Sequence, residues 1–558
     1  MNAIPGLSST LVGSLEQAAE RGHDVTFLVT DEPERVPWSQ MYDDARRFAS
    51  AMQARGVGPG ERVALLGSTS RELVTAIEAT WLAGAAVIVL PLPTRLGSEE
   101  EFRAQTHARI SLGDVTLTVS DPDFLAAGIV EADEPAVVSF GQLVSDAAGD
   151  AGKRYERPPD DPEATAVLQF TSGSTDDPKG VVIPVRCVLD NLGGMADRVP
   201  ISEDDDAVVS WLPLYHDMGL VANTAYAMAH GAHFVVAPPA RFITSPAKWM
   251  QWMAEYKGTW TLAPNFALSM ASRLLATADP LDLSSVRCLG SGSEPVAPDV
   301  MHRFTDAARP HGLDPGVMYA AYGMAEATVC ISVAPMGTGF TVDVVDGVAL
   351  EQDLRAEPVA PDHPRARALA RCGPPIRGME MRICDPDSGA AQQPGMLGEI
   401  EIRGPSVVPG YFERPDATAR AFRDGGWLRT GDLGYLAQGD VVICGRLKDL
   451  IIVGGRNLFP EDLERAAQGV DGVRTGNVIA FGVDGGRRGD DVVIVAEVKT
   501  EDTAAVRDGI AKAVTDAVGV RPEDIVLLRP GTLPKTSSGK LRRSICRSRY
   551  RTAELDPL

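Results

Sequence analysis

The stretch Leu168-Gln169-Phe170-Thr171-Ser172-Gly173-Ser174-Thr175-Asp176-Asp177-Pro178-Lys179-Gly180-Val181 decides how the rest of the chain is read. An apolar, strand-like run over 166–170 breaks abruptly into small hydroxylated residues and glycine. Glycine lets a backbone approach an anion closely, N–H groups and Ser/Thr hydroxyls donate to phosphate oxygens, and Lys179 adds a point charge. Such a loop suits a polyphosphate, although a Ser/Thr/Gly-rich turn read alone is ordinarily only a turn. It is not a Walker A loop, which needs Lys-Ser or Lys-Thr after its last glycine, because here Lys179 precedes Gly180.

Working outward, 558 residues exceed one ordinary domain and imply at least two cores. Hydrophobic content of 44% is that of a globular protein. Lys plus Arg number 53 against 76 Asp plus Glu, and a formal net charge of −23 argues against nucleic acid or an anionic membrane as partner. A polyphosphate site on such a chain must gather its cations locally. Seven cysteines at 187, 288, 330, 372, 384, 444 and 546 form no C-x-x-C pair, as expected of a reduced, cytoplasmic protein without structural zinc or disulfides. No signal peptide is evident at the start, and the most apolar run, 81–92, is too short to span a bilayer, so no membrane insertion is expected.

Upstream of the loop, Ser39 as N-cap and amphipathic periodicity predict a helix over 39–55 that ends at Gly56. Strand, helix and strand over 62–66, 71–83 and 86–90 give a βαβ rhythm and hence a parallel sheet. The rhythm continues downstream with strands expected at 207–210, 232–237 and 285–289. Beyond about 335, short strands at 380–383, 398–402 and 440–443 alternate with glycine turns and predict a β-barrel-like subdomain. A final unit carries strands at 478–482, 492–497 and 525–528 and a helix over about 503–517, small enough to move as one body. The expected fold class is α/β, with a large N-terminal domain of two α/β subdomains plus the β-barrel-like one, and a small mobile C-terminal α/β domain.

Several further stretches carry chemistry. Trp211-Leu212-Pro213-Leu214-Tyr215-His216-Asp217-Met218-Gly219 follows a predicted strand, and His216 there reads equally as a hydrogen-bonded core histidine. Gly290-Ser291-Gly292-Ser293-Glu294 and Ala321-Tyr322-Gly323-Met324-Ala325-Glu326 are glycine-rich turns of the kind that doubly wound sheets place at strand carboxyl ends, where ligands bind. Tyr322 is suited to stacking on a base and Glu326 to holding Mg²⁺ beside phosphates. A packed tyrosine and a solvated or capping glutamate are the plain alternatives. Asp432 stands in the glycine-flanked turn Thr430-Gly431-Asp432-Leu433-Gly434, and Lys540 follows Ser537-Ser538-Gly539.

The order Thr-Ser-Gly-Ser-Thr-x-x-Pro-Lys-Gly resembles the phosphate loop of the adenylate-forming superfamily, which includes acyl-CoA synthetases, peptide-synthetase adenylation domains and fatty acyl-AMP ligases. The other stretches fall in that family's motif order. The resemblance implies an ATP-dependent ligase that uses Mg²⁺, with an adenylation domain over 1–445 and a mobile lid over 446–558. It implies that Thr171, Ser172, Gly173, Ser174, Thr175 and Lys179 hold phosphates, with Thr171 counted among the catalytic residues beside Glu326 and Lys540. Gly290, Ser291, Gly292, Ser293 and Glu294, with Ala321, Tyr322, Gly323 and Met324, would form the adenine wall. Asp432 would bind ribose and Arg446 ribose or phosphate, Glu326 would be the metal ligand, and Lys448 the hinge. His216, Asp217 and Met218 would flank the carboxylate pocket with Asn265 and Phe266, and Lys540 would orient the carboxylate.

Three details are similar to fatty acyl-AMP ligases in particular. They are the form Trp-Leu-Pro-x-Tyr-His-Asp-Met-Gly, the string Asp449-Leu450-Ile451-Ile452-Val453-Gly454-Gly455-Arg456-Asn457, and an extra stretch over 337–370 where those ligases carry an insertion that disfavours CoA. They imply activation of a fatty acid and transfer to an acyl carrier protein. One departure stands against this: the family usually has Ser-His-Arg after the loop, and this chain has Pro184-Val185-Arg186. That keeps open an acyl-CoA ligase, or an enzyme of specialised metabolism that adenylates an aryl acid or nitrite, the latter for diazotisation with an aryl amine. A non-catalytic regulator on the same fold would be expected to have lost Lys540, Glu326 or Asp432, and all three are present.

Overall fold

Short β-branched runs alternating with helices build two mostly parallel sheets from the first 333 residues. The computed structural model describes residues 7–21, 23–93, 98–131, 136–171, 178–201, 206–486, 489–536 and 539–558. One sheet has six strands in the order Val137–Ser139, Leu117–Ser120, Arg62–Leu66, Ala86–Val89, Thr165–Thr171 and Lys179–Pro184. Neighbours are parallel except in the last hairpin, where Thr171 pairs with Lys179 and Phe170 with Gly180. The other sheet has eight: Ser332–Val333, Met318–Tyr322, Cys288–Ser291, Trp260–Ala263, Ala207–Ser210, His233–Val236, Asp24–Phe27 and Glu34–Pro37. Its edge strands are antiparallel and its interior parallel. Ala207–Ser210, Trp260–Ala263 and Cys288–Ser291 are buried throughout, as strands covered on both faces must be.

Two sequence expectations shift. The helix expected over 39–55 runs Trp38–Gln53, so Ser39 is its second residue rather than its cap. Trp38 sets that start, since its indole Nε1 donates to the Ala232 carbonyl at 2.8 Å and its amide to His23 at 2.9 Å. The strand expected over 285–289 begins only at Cys288. Asp282 closes a turn on the Ser284 amide, and the amides of Arg287 and Cys288 both reach the Thr259 carbonyl, which fixes the later register.

Beyond residue 340, Val342–Asp346 pairs with Ala366–Ala370 around the short helix Gly347–Gln352. A five-stranded antiparallel sheet follows, built from Glu380–Cys384, Gly398–Arg403, Phe422–Arg423, Trp427–Ala437 and Asp440–Arg446. It is an open sheet, with no closed barrel among the described residues. The chain then forms a separate three-stranded sheet, Val473–Asp484, Asp490–Val498 and Asp524–Leu528, with an apolar cluster on each face. The molecule therefore has a large N-terminal and a small C-terminal α/β domain. The seven cysteines are buried and unpaired, and no described helix is long and apolar enough to cross a membrane.

Candidate active site

Four neighbouring strands of the large sheet, Ala207–Ser210, Trp260–Ala263, Cys288–Ser291 and Met318–Tyr322, run parallel, so their carboxyl ends lie along one rim. Each runs directly into a stretch singled out from sequence, at 211–218, 264–266, 290–294 and 321–326 respectively. This is where a doubly wound sheet collects ligands, because the helix that follows each strand leaves its first amides open there.

At one end of the rim stands His216. Its Nδ1 lies 2.6 Å from Asp217 Oδ1 and its Nε2 3.0 Å from the Lys540 ammonium, which reaches in from the small domain. An ammonium can only donate, so it fixes Nε2 as acceptor and leaves Nδ1–H to donate to Asp217. Burial opposes ionisation of Asp217, yet His216 and Lys540 beside it hold its carboxyl below the usual range. Burial lowers the Lys540 ammonium, against the pull of Asp217 and Glu294. Glu294 accepts the Asn265 amide at 2.8 Å, and burial raises its carboxyl despite Lys540. Asn265 is itself pinned, donating to the Pro295 carbonyl at 2.8 Å and accepting the Ala297 amide at 3.0 Å. The Met218 amide donates to Asp217 Oδ1 at 2.7 Å. Behind them Trp211 stacks on Phe242 at 3.7 Å between centroids, and Phe266 meets both edge-on. A Cβ on Gly539, next to Lys540, would touch the Phe266 ring at 3.8 Å. The loop carrying Lys540 thus lies directly on the aromatic wall.

At the other end, Tyr322 donates its hydroxyl to Asp432 Oδ2 at 2.8 Å, and Arg446 Nε meets Oδ1 of the same carboxylate at 3.0 Å. Gly323 is required between Tyr322 and Met324, because a Cβ there would sit 1.6 Å from the Val329 carbonyl oxygen. Gly290, Ser291 and Gly292 form the end of a strand and its turn, with Ala321 on the neighbouring strand. Ser293 and Thr328 hold left-handed backbone, at φ 67° and 70°, which costs energy for any residue but glycine. Lys448 lies in the turn Leu447–Asp449, and burial lowers its ammonium. A cavity of about 330 Å³ opens between Thr430, Gly431, Arg446 and Lys448.

Of the phosphate-loop residues, Ser172, Gly173, Ser174 and Thr175 lie outside the described residues, and Thr171 is described in its backbone alone. Lys179 is placed, with its ammonium 5.0 Å from the centre of the Tyr411 ring. Tyr411 was not singled out from sequence. Its segment adds to the hairpin through Phe412 N to Gly180 O at 2.8 Å and Val182 N to Gly410 O at 3.1 Å, and its hydroxyl donates to Glu326 at 2.8 Å. Tyr411 therefore spans from the loop lysine to the candidate metal carboxylate. Burial raises the Glu326 carboxyl against that bond. A loop tyrosine after glycine has no spacing signal that would have marked it. The departing Pro184-Val185-Arg186 opens a helix, and Arg186 pairs with Glu163 at 2.8 Å and donates to Pro405 O at 3.0 Å.

Known proteins resemble this chain over nearly its whole length. The profile of the AMP-binding enzyme family matches residues 15–412. A long-chain-fatty-acid–AMP ligase of Mycobacterium marinum is 32% identical, over 96% of this chain and 96% of its own. A 4-hydroxyphenylalkanoate adenylyltransferase of the same organism is 34% identical, over 93% of this chain and 86% of its own. Among solved structures, one from work on the fatty acyl-adenylate ligases of E. coli and L. pneumophila superposes with a TM-score of 0.90 at 28% identity, covering 98% of each chain.

Proposed function

This chain belongs to the AMP-binding enzyme family and is an AMP-forming ligase, and from that premise we propose that it activates a fatty acid as acyl-adenylate and hands the acyl group to an acyl carrier protein. In the first half-reaction a carboxylate oxygen attacks the α-phosphorus of ATP, the bond to the β-phosphate's bridging oxygen breaks, and pyrophosphate leaves. Tyr322 faces adenine, Asp432 accepts the ribose hydroxyls, and the loop 171–180 with Lys179 holds the phosphates. Lys540, beside His216, offsets the charge that builds between the carboxylate and the α-phosphate. In the second half-reaction a phosphopantetheine thiol attacks the acyl carbonyl and AMP leaves. Residues 446–558 turn about Lys448 between the two.

Glu326 fits Mg²⁺, being one half-buried carboxylate that Tyr411 links to Lys179, and Mg²⁺ usually takes only one or two carboxylates with the substrate's phosphates completing its shell. When bound it supplies neutralising charge at those phosphates. Tyr411 holds the carboxylate in place for it.

The carrier-protein reading is supported by one relationship. The two stretches that resemble acyl-AMP ligases touch each other: Glu351, in the 337–370 stretch, pairs with Arg456, and Asn457 Nδ2 donates to the Glu351 carbonyl at 3.2 Å. Phe459, only 1% exposed, packs with Val345, Leu350 and Leu369 of the same stretch. This seats the small domain on the stretch that corresponds to the insertion disfavouring CoA in the ligases it resembles. Incubation with ATP, Mg²⁺, a fatty acid and either phosphopantetheinylated carrier protein or CoA tests it. The carrier gains the acyl mass while CoA gains little; equal or preferred acylation of CoA would refute the reading.

A second reading, an arylalkanoate as the acid, is favoured by the likeness to the 4-hydroxyphenylalkanoate enzyme and by the Trp211–Phe242–Phe266 wall. The same assay with aryl acids separates the two.

A further inference from the structure

The hinge turn and the loop of Lys540 are far apart in sequence, yet one side chain joins them. Arg543 opens the helix Arg543–Arg551, three positions past Lys540. Its Nη1 donates to Asp449, the residue after Lys448, at 2.8 Å; its Nη2 meets Glu464 at 2.9 Å and Glu461 at 3.5 Å; its Nε donates to the Ala480 carbonyl at 3.0 Å. Glu464 in turn accepts the Ala480 amide at 2.9 Å. The Lys540 loop is closed on itself just before this point, through Thr536 N to Lys540 O at 2.8 Å, Lys540 N to Thr536 Oγ1 at 3.0 Å and Arg542 N to Pro534 O at 2.9 Å. A guanidinium with 19% of its side chain exposed, gripped by three carboxylates and a carbonyl, has little freedom.

We propose that Arg543 is a positioning residue that bolts the hinge turn to the Lys540 loop, so that rotation at Lys448 delivers the ammonium to His216 as part of one rigid body. This rests on the reading above that residues 446–558 turn about Lys448 between two half-reactions, whereas the contacts of Arg543 stand without it. The arrangement accounts for how a lysine on a loop tip arrives within hydrogen-bond range of a histidine in another domain, since catalytic groups displaced by about 1 Å lose on the order of 10²-fold in rate. Only the link to Asp449 reaches the hinge; the links to Glu461 and Glu464 stay inside the small domain.

Asp449→Asn weakens only the hinge link and leaves Arg543 compensated by two carboxylates, so the fold is retained, and Arg543→Lys keeps the charge but loses the fork. Two readouts apply to the whole chain. By amide hydrogen exchange, segments 447–450, 533–536 and 539–542 lose protection together in Asp449→Asn while Val478–Phe481 keeps its own. In kinetics, both variants lower kcat for pyrophosphate release about tenfold or more, leave KM for ATP within about twofold, and leave consumption of preformed acyl-adenylate by the acceptor within about twofold. Unchanged exchange in the Lys540 loop, or equal losses in both half-reactions, overturns the proposal. If the unmodified protein releases no pyrophosphate with any acid, the adenylation reading fails instead, and the exchange pattern alone decides the role of Arg543.

Discussion

The Lys540 ammonium lies 3.0 Å from His216 Nε2, a contact between residues 324 apart that brings the small domain onto the strand ends of the large one. Removing the ammonium leaves the contacts among Tyr322, Asp432 and Arg446, the proposed nucleotide side of the site, in place. Lys540→Ala is therefore expected to lower pyrophosphate release by about 10²-fold or more while ATP binding, followed by calorimetry, stays within a few-fold. Unchanged release would remove Lys540 from the chemistry.

Asp217 holds the Nδ1 side of His216 while Lys540 holds Nε2. In Asp217→Asn the negative charge is lost and the amide can present either an oxygen or an NH₂ group to Nδ1, so the imidazole is held less firmly against Lys540. Adenylation is expected to fall roughly 10–100-fold, the range for losing a partner that orients a functional histidine, with ATP affinity preserved. The ratio of kcat to KM effects in steady-state assays checks this.

At the other end of the site, proposed to take the nucleotide, Asp432→Asn removes the charge that meets Tyr322 and Arg446. The expected result is a rise in KM for ATP of about tenfold, corresponding to about 1.4 kcal/mol, with a smaller change in kcat. A change confined to kcat would contradict ribose binding.

Glu78 gives a prediction about stability alone. It is fully buried in the helix Arg71–Leu82, one carboxyl oxygen has no partner among the described residues, and burial with nearby Asp44 pushes its pKa up to about 8. Between the ordinary value of 4.5 and about 8, the folded form keeps a proton that the unfolded chain loses. Stability thus falls as pH rises through that window, by up to about 1.4 kcal/mol per unit from this group, and levels off above it. Thermal midpoints of Glu78→Gln should drop less between pH of about 5 and about 8 than those of the unaltered protein. Parallel curves would refute the assignment.

Much of this was legible in the residues. The βαβ rhythm of 62–90 matched the parallel strands Arg62–Leu66 and Ala86–Val89, because buried parallel strands are short, apolar and punctuated by glycine. The turns at 290–294 and 321–326 fell at strand ends as their composition required. What sequence could not supply was contact between distant segments. Tyr411 bridges Lys179 and Glu326 through tertiary geometry, and no periodicity marks it. The start of the helix at Trp38 likewise depended on Ala232, far along the chain, rather than on a local cap. The meeting of Glu351 with Arg456 joined two stretches noted separately and for separate reasons.

That meeting leads to a further expectation. Glu351→Gln loosens the hold of the 337–370 stretch on the small domain and should raise acyl transfer to CoA relative to carrier protein, read by mass spectrometry of both products. An unchanged ratio would mean that the stretch does not govern acceptor choice.

The most direct measurement is pyrophosphate release with ATP and Mg²⁺ across short, medium and long fatty acids, aryl acids, and nitrite with an aryl amine, each run alone, with CoA, and with phosphopantetheinylated carrier protein. The expected result is release with fatty acids, lost in Lys540→Ala, and acyl transfer to the carrier protein rather than to CoA. Release only with nitrite, or transfer only to CoA, would contradict it.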